Sequence, residues 1–407
     1  MLPFPYTIHE SLEIRGLGPL VDVMLDDIRP VTVLVGESGS GKSLILKVLA
    51  MMRHVCKMEM IRRALKKKSG VKKTSISIRK NSYLAFAEIE NLIEPETRVV
   101  YNLYYNFDMM NCQICLDKKG FTIFFDDSAP DDEVGPFLKI AFISDSRNLL
   151  ASWARKGANI QSKILDNYFS ETYGLWDEAM DAQNSTEQSI DYLNTKLLVE
   201  KNKNGRRDVV IENKDGHKTL FEHGASGEKA SIPISIILRY LTHGYDFEQA
   251  VLRSYKSIIL DAMMEVSEKK GRFLPVKKIV PFRNYYLCVH IEEPELSLDP
   301  VTQLRFADDL MRIMDSAIDE RPLEASILFT THSPYWITAL NTIAEEGRSK
   351  FLSWKRLGGY LIKNNGTVES LRDEESHLLM TPNMDEASET LDTRYNSALE
   401  GKHNGND

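Results

Sequence analysis

The chain has 407 residues, of which 43% are hydrophobic and 27% charged, and its formal net charge is −8. This composition is typical of a globular protein with a sizeable core, and it excludes collagen-like, fibrous and wholly disordered chains. The acidic balance argues against a protein that coats nucleic acid with its whole surface. Because no apolar run approaches the length of a membrane helix and the first residues lack a secretory pattern, we expect a cytoplasmic protein without a membrane partner.

The predicted elements alternate between strands and helices. Strands at 12–15, 21–28 and 31–35 lead into a glycine-rich loop and a helix, and short alternating segments between 74 and 126 predict an antiparallel sheet. A strand at 138–144 is followed by a polar, mostly helical stretch. We divide the chain into an N-terminal half with the glycine loop and the antiparallel subdomain (1–145), a helical insertion (146–205), a C-terminal half (206–370) and a polar tail (371–407).

The glycine-rich loop reads GESGSGKS and fits the pattern G-x-x-x-x-G-K-[ST] in full, with a strand before it and a helix after it. In such a loop, backbone N–H groups and the helix dipole hold phosphate groups. Lys42 reaches the β- and γ-phosphates, and the Ser43 hydroxyl ligates Mg²⁺. The alternative is a glycine-rich turn before an ordinary helix. The residues predicted to bind nucleotide are Gly36, Glu37, Ser38, Gly39, Ser40, Gly41, Lys42 and Ser43.

A second candidate group follows the apolar strand Leu287 to Ile291, which ends in Glu292, Glu293, Pro294 and Glu295. Adjacent carboxylates at the end of a buried strand are costly unless a cation or a proton compensates them. We predict that Glu292 holds Mg²⁺ and that Glu293 is the general base that activates water. The alternative is an acidic loop or helix cap.

Four motifs occur in one order along the chain: LEIRGLGPL with VTVLVGESGSGKS, then ASGEK, IEEPELSLDP and FTTHSP. Together they resemble the Walker A, signature, Walker B with D-loop, and switch-histidine motifs of ABC-type ATPases of the SMC, RecF and OLD group. The resemblance implies an α/β P-loop NTPase fold of the ABC/SMC head type, with a mixed sheet, an antiparallel β-subdomain and a helical insertion. It also implies that two heads enclose two ATP molecules.

The same resemblance implies roles for residues outside the phosphate loop. Ser226, Gly227 and Glu228 begin a helix, and their turn would face the phosphate loop of a second copy. The alternative is that Ser226 simply caps the helix. Asp299 would lie at the seam of the dimer. His332 would contact the γ-phosphate, although a lone buried histidine is more often structural.

Some features depart from the family pattern. Glu292 stands where transporters commonly have aspartate, and ASGEK replaces the LSGGQ signature of transporters, which disfavours a transporter motor. No glutamine loop can be placed, since Gln113 is a poor candidate. Arg147 follows the strand at 138–144, where it either approaches the nucleotide or is merely solvated.

Nine basic residues and no acidic ones lie between 62 and 80, which makes this segment a candidate site for nucleic acid or for an acidic phage protein. The alternative is a solvated helix end, because the segment lacks aromatic residues for base stacking. Cys112 and Cys115 form a lone C-x-x-C, which by itself is weak support for zinc.

The resemblance narrows the function to three hypotheses. OLD-type enzymes carry a C-terminal nuclease domain, whereas the roughly 75 residues after His332 contain no D-x-D pair. This points to the ATPase subunits of bacterial anti-phage systems such as PARIS, Septu and retron-associated modules, in which a separately encoded nuclease or toxin is the effector. The alternatives are a RecF/SMC-like DNA repair or chromosome ATPase and a scaffold that binds ATP without hydrolysing it.

Overall fold

The structure is a computed structural model. It describes residues 7–69, 80–105, 110–126, 135–153, 167–182, 187–201, 207–256, 282, 284–320, 323–381 and 390–397. The helices are α1 (Lys42–Ser69), α2 (Lys80–Phe86), α3 (Leu150–Trp153), α4 (Asn167–Ala182), α5 (Ser226–Arg239), α6 (247–256), α7 (Pro300–Glu320) and α8 (Pro334–Glu346). The strands are β1 (Ile8–Leu17), β2 (Leu20–Leu25), β3 (Val31–Gly36), β4 (Ile93–Tyr105), β5 (Met110–Leu116), β6 (Phe121–Asp126), β7 (Phe137–Ile143), β8 (Glu187–Ile190), β9 (Thr195–Lys201), β10 (Arg207–Glu212), β11 (Lys218–Leu220), β12 (Tyr285–Glu292), β13 (Leu323–Thr331), β14 (Leu357–Ile362), β15 (Val368–Ser370), β16 (Arg372–Asp373) and β17 (Leu378–Leu379).

The central sheet has the strand order β15-β14-β3-β13-β12-β7, and only the β14–β15 pair is antiparallel. Strands β3, β12 and β13 are buried along almost their whole length, as expected for parallel strands covered on both faces. The register aligns Glu292 with Thr330 and Thr331 with Val35. The carboxyl ends of the three strands therefore meet at one edge of the sheet.

A second, antiparallel sheet has the order β2-β1-β4-β5-β6 and confirms the antiparallel subdomain predicted between 74 and 126. One predicted strand is wrong: residues 82–90 contribute to α2 and to a short 3-10 turn at Glu90–Leu92. The predicted segment at 74–79 lies outside the described residues. Helix α1 contacts β7, β12 and β13 of the central sheet as well as β5 of this one. It is therefore apolar on more than one face.

The stretch predicted as a helical insertion at 146–205 is only partly helical. Strands β8 and β9 lie within it and join β10 and β11 in a four-stranded antiparallel sheet. Helix α4 buries Phe169 and Trp176 and packs against β7 and α5, so this helix belongs to the core. The prediction erred because the polar residues of β8 and β9 lie on the exposed face of a sheet, where a strand needs few apolar residues.

The fold also continues beyond residue 370, where a polar tail was predicted. Leu371 and Leu379 are buried, and Leu379 packs against Gly359 of β14. The mixed central sheet, the antiparallel subdomain and the loop between β3 and α1 confirm the predicted fold class, an α/β fold with a mixed sheet and an antiparallel β-subdomain. Among the described helices, none combines the length and apolarity needed to cross a bilayer.

Candidate functional site

The phosphate loop connects β3 to α1, and its glycines stand where side chains do not fit. A Cβ atom on Gly36 would lie 2.5 Å from the Ile362 carbonyl oxygen and 2.7 Å from the Ser40 hydroxyl. Gly41 has φ +102°, and a Cβ there would lie 2.6 Å from a methyl group of Leu20. Both positions therefore require glycine, as a loop that wraps its backbone around phosphates does.

Lys42 begins α1, and its ammonium group lies over the loop. It donates hydrogen bonds to the carbonyl oxygens of Gly36, at 2.8 Å, and Glu37, at 2.7 Å. Burial lowers the pKa of Lys42, while the negative charges of Glu293 and Glu295 act in the opposite direction. The Ser40 hydroxyl is buried in the same loop without a hydrogen-bond partner in the structure. A buried cation and an unpaired hydroxyl at a glycine cradle fit a phosphate ligand.

Glu292 ends β12 beside the first turn of α1 and is 6% exposed. Its carboxylate accepts hydrogen bonds from the Ser43 hydroxyl and, at 3.3 Å, from the backbone N–H of Asp145. Burial raises the pKa of Glu292, and the nearby charge of Asp145 raises it further. A serine hydroxyl and adjacent carboxylate oxygens are ligands that suit Mg²⁺. The residues present therefore fit the predicted cation.

Asp145 was not recognised from the sequence. It follows β7, which pairs with β12 in the central sheet, so the fold places it next to Glu292. The only sequence signal was its position directly after a buried strand. Gln113, considered as a glutamine-loop residue, lies instead in β5 of the antiparallel sheet and donates to Asn102 at 2.8 Å. It is not part of the site.

Glu293 and His332 come together at the ends of β12 and β13. The carboxylate Oε1 of Glu293 lies 3.4 Å from Nε2 of His332, and both side chains are about one-third exposed, at 33% and 37%. Burial lowers the pKa of His332, the charge of Lys42 lowers it further, and Glu293 opposes both. The lowered pKa favours the neutral form of the imidazole.

Glu295 is a second residue whose role was missed. Its Oε1 accepts hydrogen bonds from the Thr331 hydroxyl at 2.6 Å and from the backbone N–H of His332 at 2.9 Å. Its other carboxylate oxygen is buried without a partner in the structure, and burial raises the pKa of the group. Glu295 therefore fixes the carboxyl end of β13 and the backbone from which the His332 side chain extends.

The signature turn begins α5, but the residue that precedes the helix is Ala225. The alternative reading of Ser226 as the helix cap is therefore wrong, since Ser226 is the first helical residue and is exposed. Glu228 closes the helix start by accepting a hydrogen bond from the Ala225 N–H at 2.7 Å. A Cβ atom on Gly227 would lie 2.9 Å from the Ser297 carbonyl oxygen, so the turn packs against the segment after Glu295.

Asp299 lies at the start of α7, where it is fully exposed. It accepts hydrogen bonds from the backbone N–H groups of Val301, at 3.0 Å, and Thr302, at 3.1 Å, and so caps the helix. The hydroxyl of Thr302 also donates to it, and these bonds lower the pKa of Asp299. Within this chain Asp299 is a helix cap, and its role at a dimer seam stays a prediction.

Both sequence interpretations of Arg147 are wrong. The side chain neither faces the nucleotide loop nor lies in solvent, because it is fully buried and hydrogen-bonded to backbone carbonyl groups, including those of Glu292 and Glu293 at 2.6 Å each. The solvated alternative rested on the position of Arg147 at a predicted helix start after a strand, where an arginine side chain usually lies in water.

The basic segment at 62–80 is partly used by the fold itself. Arg62 is 8% exposed and lies 3.4 Å from Glu59, while the guanidinium of Arg63 stacks 3.6 Å from the ring centre of Phe125. These two residues are therefore not a free basic surface. Residues 70–79, and the side chains of 65–69, lie outside the described part. Across the described residues, no group of three or more potential metal-ligating side chains surrounds Cys112 and Cys115.

The structure is similar to those of SMC head domains and of the recombination mediator RecF. It matches the SMC head domain from Thermotoga maritima, at 13% identity over 90% of this chain and 99% of that chain, with a TM-score of 0.39. It also matches the Smc head domain of Pyrococcus furiosus bound to the C-terminal domain of ScpA, at 11% identity over 95% and 99% of the two chains, with a TM-score of 0.39. The recombination mediator RecF matches at 11% identity over 90% and 98%, with a TM-score of 0.34. No family model and no curated protein match the sequence. These likenesses are too distant to transfer the role of any residue.

Proposed function

We propose that this chain binds and hydrolyses ATP with Mg²⁺. The observation that carries the proposal is the convergence of Lys42, Glu292, Glu293 and His332 on one edge of the central sheet. Mg²⁺, held by Ser43 and Glu292, would supply the charge that neutralises the phosphate oxygens. Glu293 accepts the proton of the attacking water, and Lys42 and His332 bind the γ-phosphate.

We further propose that two copies enclose the nucleotide, with the signature turn of one facing the phosphate loop of the other. Support comes from Ser226, which is exposed at the start of α5. Further support comes from three large apolar side chains near the site that are exposed in one copy: Val301 at 55%, Leu304 at 40% and Tyr335 at 50%. Val301 and Leu304 follow Asp299, and Tyr335 follows His332. A second copy at this face would therefore bury all three side chains.

Light scattering after size exclusion tests both parts in one experiment. With Mg²⁺ and ATP, the Glu293→Gln variant should be a stable dimer, whereas Lys42→Ala should stay monomeric and bind nucleotide weakly. Ser226→Arg should bind nucleotide as wild type does but fail to dimerise. Thr219→Arg, an equal change at an exposed position of β11, is the matched control and should dimerise normally. A monomeric Glu293→Gln variant saturated with ATP would contradict the dimer.

The finer proposal is that this ATP cycle controls a separately encoded effector, such as a nuclease, in bacterial anti-phage defence. Its support is the sequence resemblance to the ATPase subunits of such systems. Shifting a partner from 1:99 to 99:1 occupancy requires about 5.5 kcal/mol of differential affinity, which charge-assisted bonds between a γ-phosphate and two heads can supply. Co-purification with the neighbouring gene products, with and without ATP, tests it. Recovery of the ATPase alone under both conditions would contradict it.

A RecF/SMC-like DNA-binding ATPase is the second candidate, and the basic segment at 62–80 favours it. DNA affinity that falls with salt and is lost on charge reversal at Lys66, Lys67 and Lys68 would support this alternative. Reversal at Lys214, Lys218 and Lys355, three exposed lysines elsewhere in the chain, provides a control of equal size. A non-hydrolysing scaffold is distinguished by turnover, since slow hydrolysis unaffected by Glu293→Gln would favour it.

A further inference from the structure

The buried guanidinium of Arg147 links α5, the helix that begins at the signature turn, to the carboxyl end of β12. It is fully buried in the short 3-10 turn after β7. Its Nε donates to the carbonyl oxygen of Ala230 in α5 at 2.6 Å. Its Nη1 donates to the carbonyls of Ser144, at 3.0 Å, and Glu292, at 2.6 Å, and its Nη2 donates to that of Glu293 at 2.6 Å. One planar group therefore holds three segments of the chain.

The guanidinium keeps these segments at fixed relative positions because its donors form a rigid planar fork. Burial lowers the pKa of Arg147 to about 10, although Glu295 and Asp145 oppose this effect, so the group is charged at neutral pH. A charged donor in a dry site makes strong hydrogen bonds that are costly to lose. A displacement of Ala230 must therefore move the guanidinium or break one of these bonds.

The Glu293 end of this link has an unusual backbone. Glu293 has φ +43°, in the left-handed region that a non-glycine residue rarely adopts. Its N–H donates to the Thr330 carbonyl at 3.0 Å, and its carbonyl accepts from Arg147. These two bonds hold the conformation that directs the Glu293 carboxylate towards His332.

The other end of the link, at Ala230, lies in the first turns of α5, just before a proline that interrupts the helix hydrogen bonds. Pro233 lies inside α5 and has no N–H to donate to the Lys229 carbonyl, so the regular hydrogen-bond ladder is interrupted there. The turn before it is tied together locally, since the Ser231 hydroxyl donates to the Gly227 carbonyl at 2.8 Å. The first turns of α5 are therefore joined to the rest of the helix by one fewer backbone hydrogen bond, although the Ser231 hydroxyl also accepts a hydrogen bond from Tyr192 at 3.0 Å.

We propose that Arg147 is a positioning residue that couples occupation of the signature turn to the placement of Glu293. This inference rests on the proposed function. When the phosphates held by a second copy engage Ser226 and Gly227, α5 shifts at its start. Ala230 shifts with it, and Arg147 passes the displacement to the backbone of Glu293. Hydrolysis then depends on the presence of both heads, because only an engaged signature turn moves the backbone of Glu293 from the position that it has in one head.

A double-mutant cycle between Arg147→Lys and Ser226→Ala tests the coupling with the full chain and Mg·ATP. Arg147→Lys keeps the charge but cannot span all four carbonyls. We expect each single change to lower kcat about tenfold, and Ser226→Ala to lower it less than about twofold further once Arg147 is lysine. The KM for ATP and the affinity for a fluorescent ATP analogue should stay within about twofold of wild type. Arg239→Lys, at the far end of α5 and 3.4 Å from Asp309, is the matched control and should leave the effect of Ser226→Ala unchanged.

The coupling would be overturned if the two changes acted independently, so that the fold-loss of kcat in the double variant equalled the product of the two single fold-losses.

If Arg147→Lys does not fold, as judged by circular dichroism, hydrogen exchange provides the test instead. A non-hydrolysable ATP analogue should slow amide exchange at 290–296 in wild type but not in Ser226→Arg, and equal protection in both would overturn the proposal. Failure of the wild type to dimerise or hydrolyse ATP would refute the proposed function instead. A wild type that does both with an additive cycle would refute only the role of Arg147.

Discussion

Replacing Glu10 by glutamine would measure a buried charge cluster that anchors the phosphate-loop helix. Glu10 of β1 and Arg53 of α1 form an ion pair in which both side chains are essentially unexposed, at 1% and 0%. The Glu10 carboxylate accepts hydrogen bonds from Arg53 Nε at 2.9 Å and from the Tyr286 hydroxyl at 2.6 Å, and also from Tyr101. Arg53 reaches onward to His290 in β12, at 3.1 Å. The cluster therefore joins α1 to the strand that ends in Glu292.

Glutamine keeps the shape of the side chain but removes its charge and turns one acceptor into a donor. Arg53 would then be buried without a counter-charge in this ion pair, and breaking a buried pair in this way costs about 3–5 kcal/mol. We expect the lower end of that range, about 3 kcal/mol, because the remaining amide oxygen still accepts one hydrogen bond. The double variant Glu10→Gln with Arg53→Met should be no less stable than Glu10→Gln alone, since it removes the uncompensated charge.

Urea unfolding at pH 7, followed by the fluorescence of the fully buried Trp176 and Trp336, measures these differences. The control is Glu200→Gln, because Glu200 and Lys218 form an ion pair at 2.8 Å with both side chains half-exposed, 51% and 50%. Such a pair contributes less than about 1 kcal/mol. The buried pair would not anchor α1 if Glu10→Gln lowered the free energy of unfolding no more than Glu200→Gln does. The same conclusion would follow if the double variant were less stable than Glu10→Gln alone.

Three further predictions concern the site and its surroundings. Glu293→Gln should lower ATP turnover by about 10²–10⁴-fold with little change in nucleotide affinity, as loss of a general base does; a turnover assay beside equilibrium binding checks this, and unchanged turnover would remove Glu293 from the mechanism. Gly36→Ala should abolish nucleotide binding, because its Cβ would lie 2.5 Å from the Ile362 carbonyl oxygen. Gly39→Ala should weaken binding only modestly, because its Cβ would have no atom within 4 Å and only its φ of +81° disfavours a side chain. Calorimetry measures both affinities, and equal losses would mean that crowding at Gly36 is not decisive. Burial raises the pKa of Glu171 from 4.5 to about 7 against the opposing charges of Lys139 and Lys57, so the folded state binds this proton more tightly. Stability should therefore fall as pH rises from about 4.5 to 7, by at most about 3 kcal/mol, relative to Glu171→Gln in the same buffers; parallel pH profiles would refute this.

The phosphate loop could be predicted because its chemistry is contiguous in the sequence. Its three glycines, Lys42 and Ser43 lie within eight consecutive positions, and a strand and a helix flank them. Strands β3, β7, β12 and β13 of the central sheet were predicted for a similar reason, since their buried runs are long and apolar. Short segments were less certain. Residues 82–90 alternate like a strand, yet the buried residues are Leu84, Ala87 and Ile89, and Phe86 is 39% exposed. The interval from Leu84 to Ala87 is the i, i+3 spacing of a helix.

Strand β14 and the packed part of the tail were missed because their burial depends on each other. Gly358 and Gly359 weaken the strand signal of LGGYLI. In the fold, a Cβ on Gly359 would lie 2.9 Å from the side chain of Leu379, so glycine leaves room for the tail. Neither segment shows this alone, and the polar composition after 370 conceals the two leucines that make the contact.

The contacts of Glu295, Asp145 and Arg147 were missed because the partners of these residues lie far away in the sequence. Glu295 binds the backbone of His332, and Arg147 binds that of Ala230, across 37 and 83 positions. Such pairs arise only when parallel strands bring distant loops to one edge of a sheet. A pattern of residues can reveal the chemical groups of a site, but not the groups that hold them in place.

The hydrogen-bond partners of Arg147 explain how a cation can lie beneath the acidic strand end without disabling it. If Arg147 formed bidentate pairs with Glu292 or Glu293, those carboxylates could no longer bind a metal ion or accept a proton from water. Its hydrogen bonds instead go to the carbonyl groups of the same residues. The backbone is thereby fixed and the nearby positive charge offsets the crowded carboxylates, while Glu292 still faces Ser43 and Glu293 still faces His332. A buried arginine in this arrangement can control where the base lies without competing for its proton.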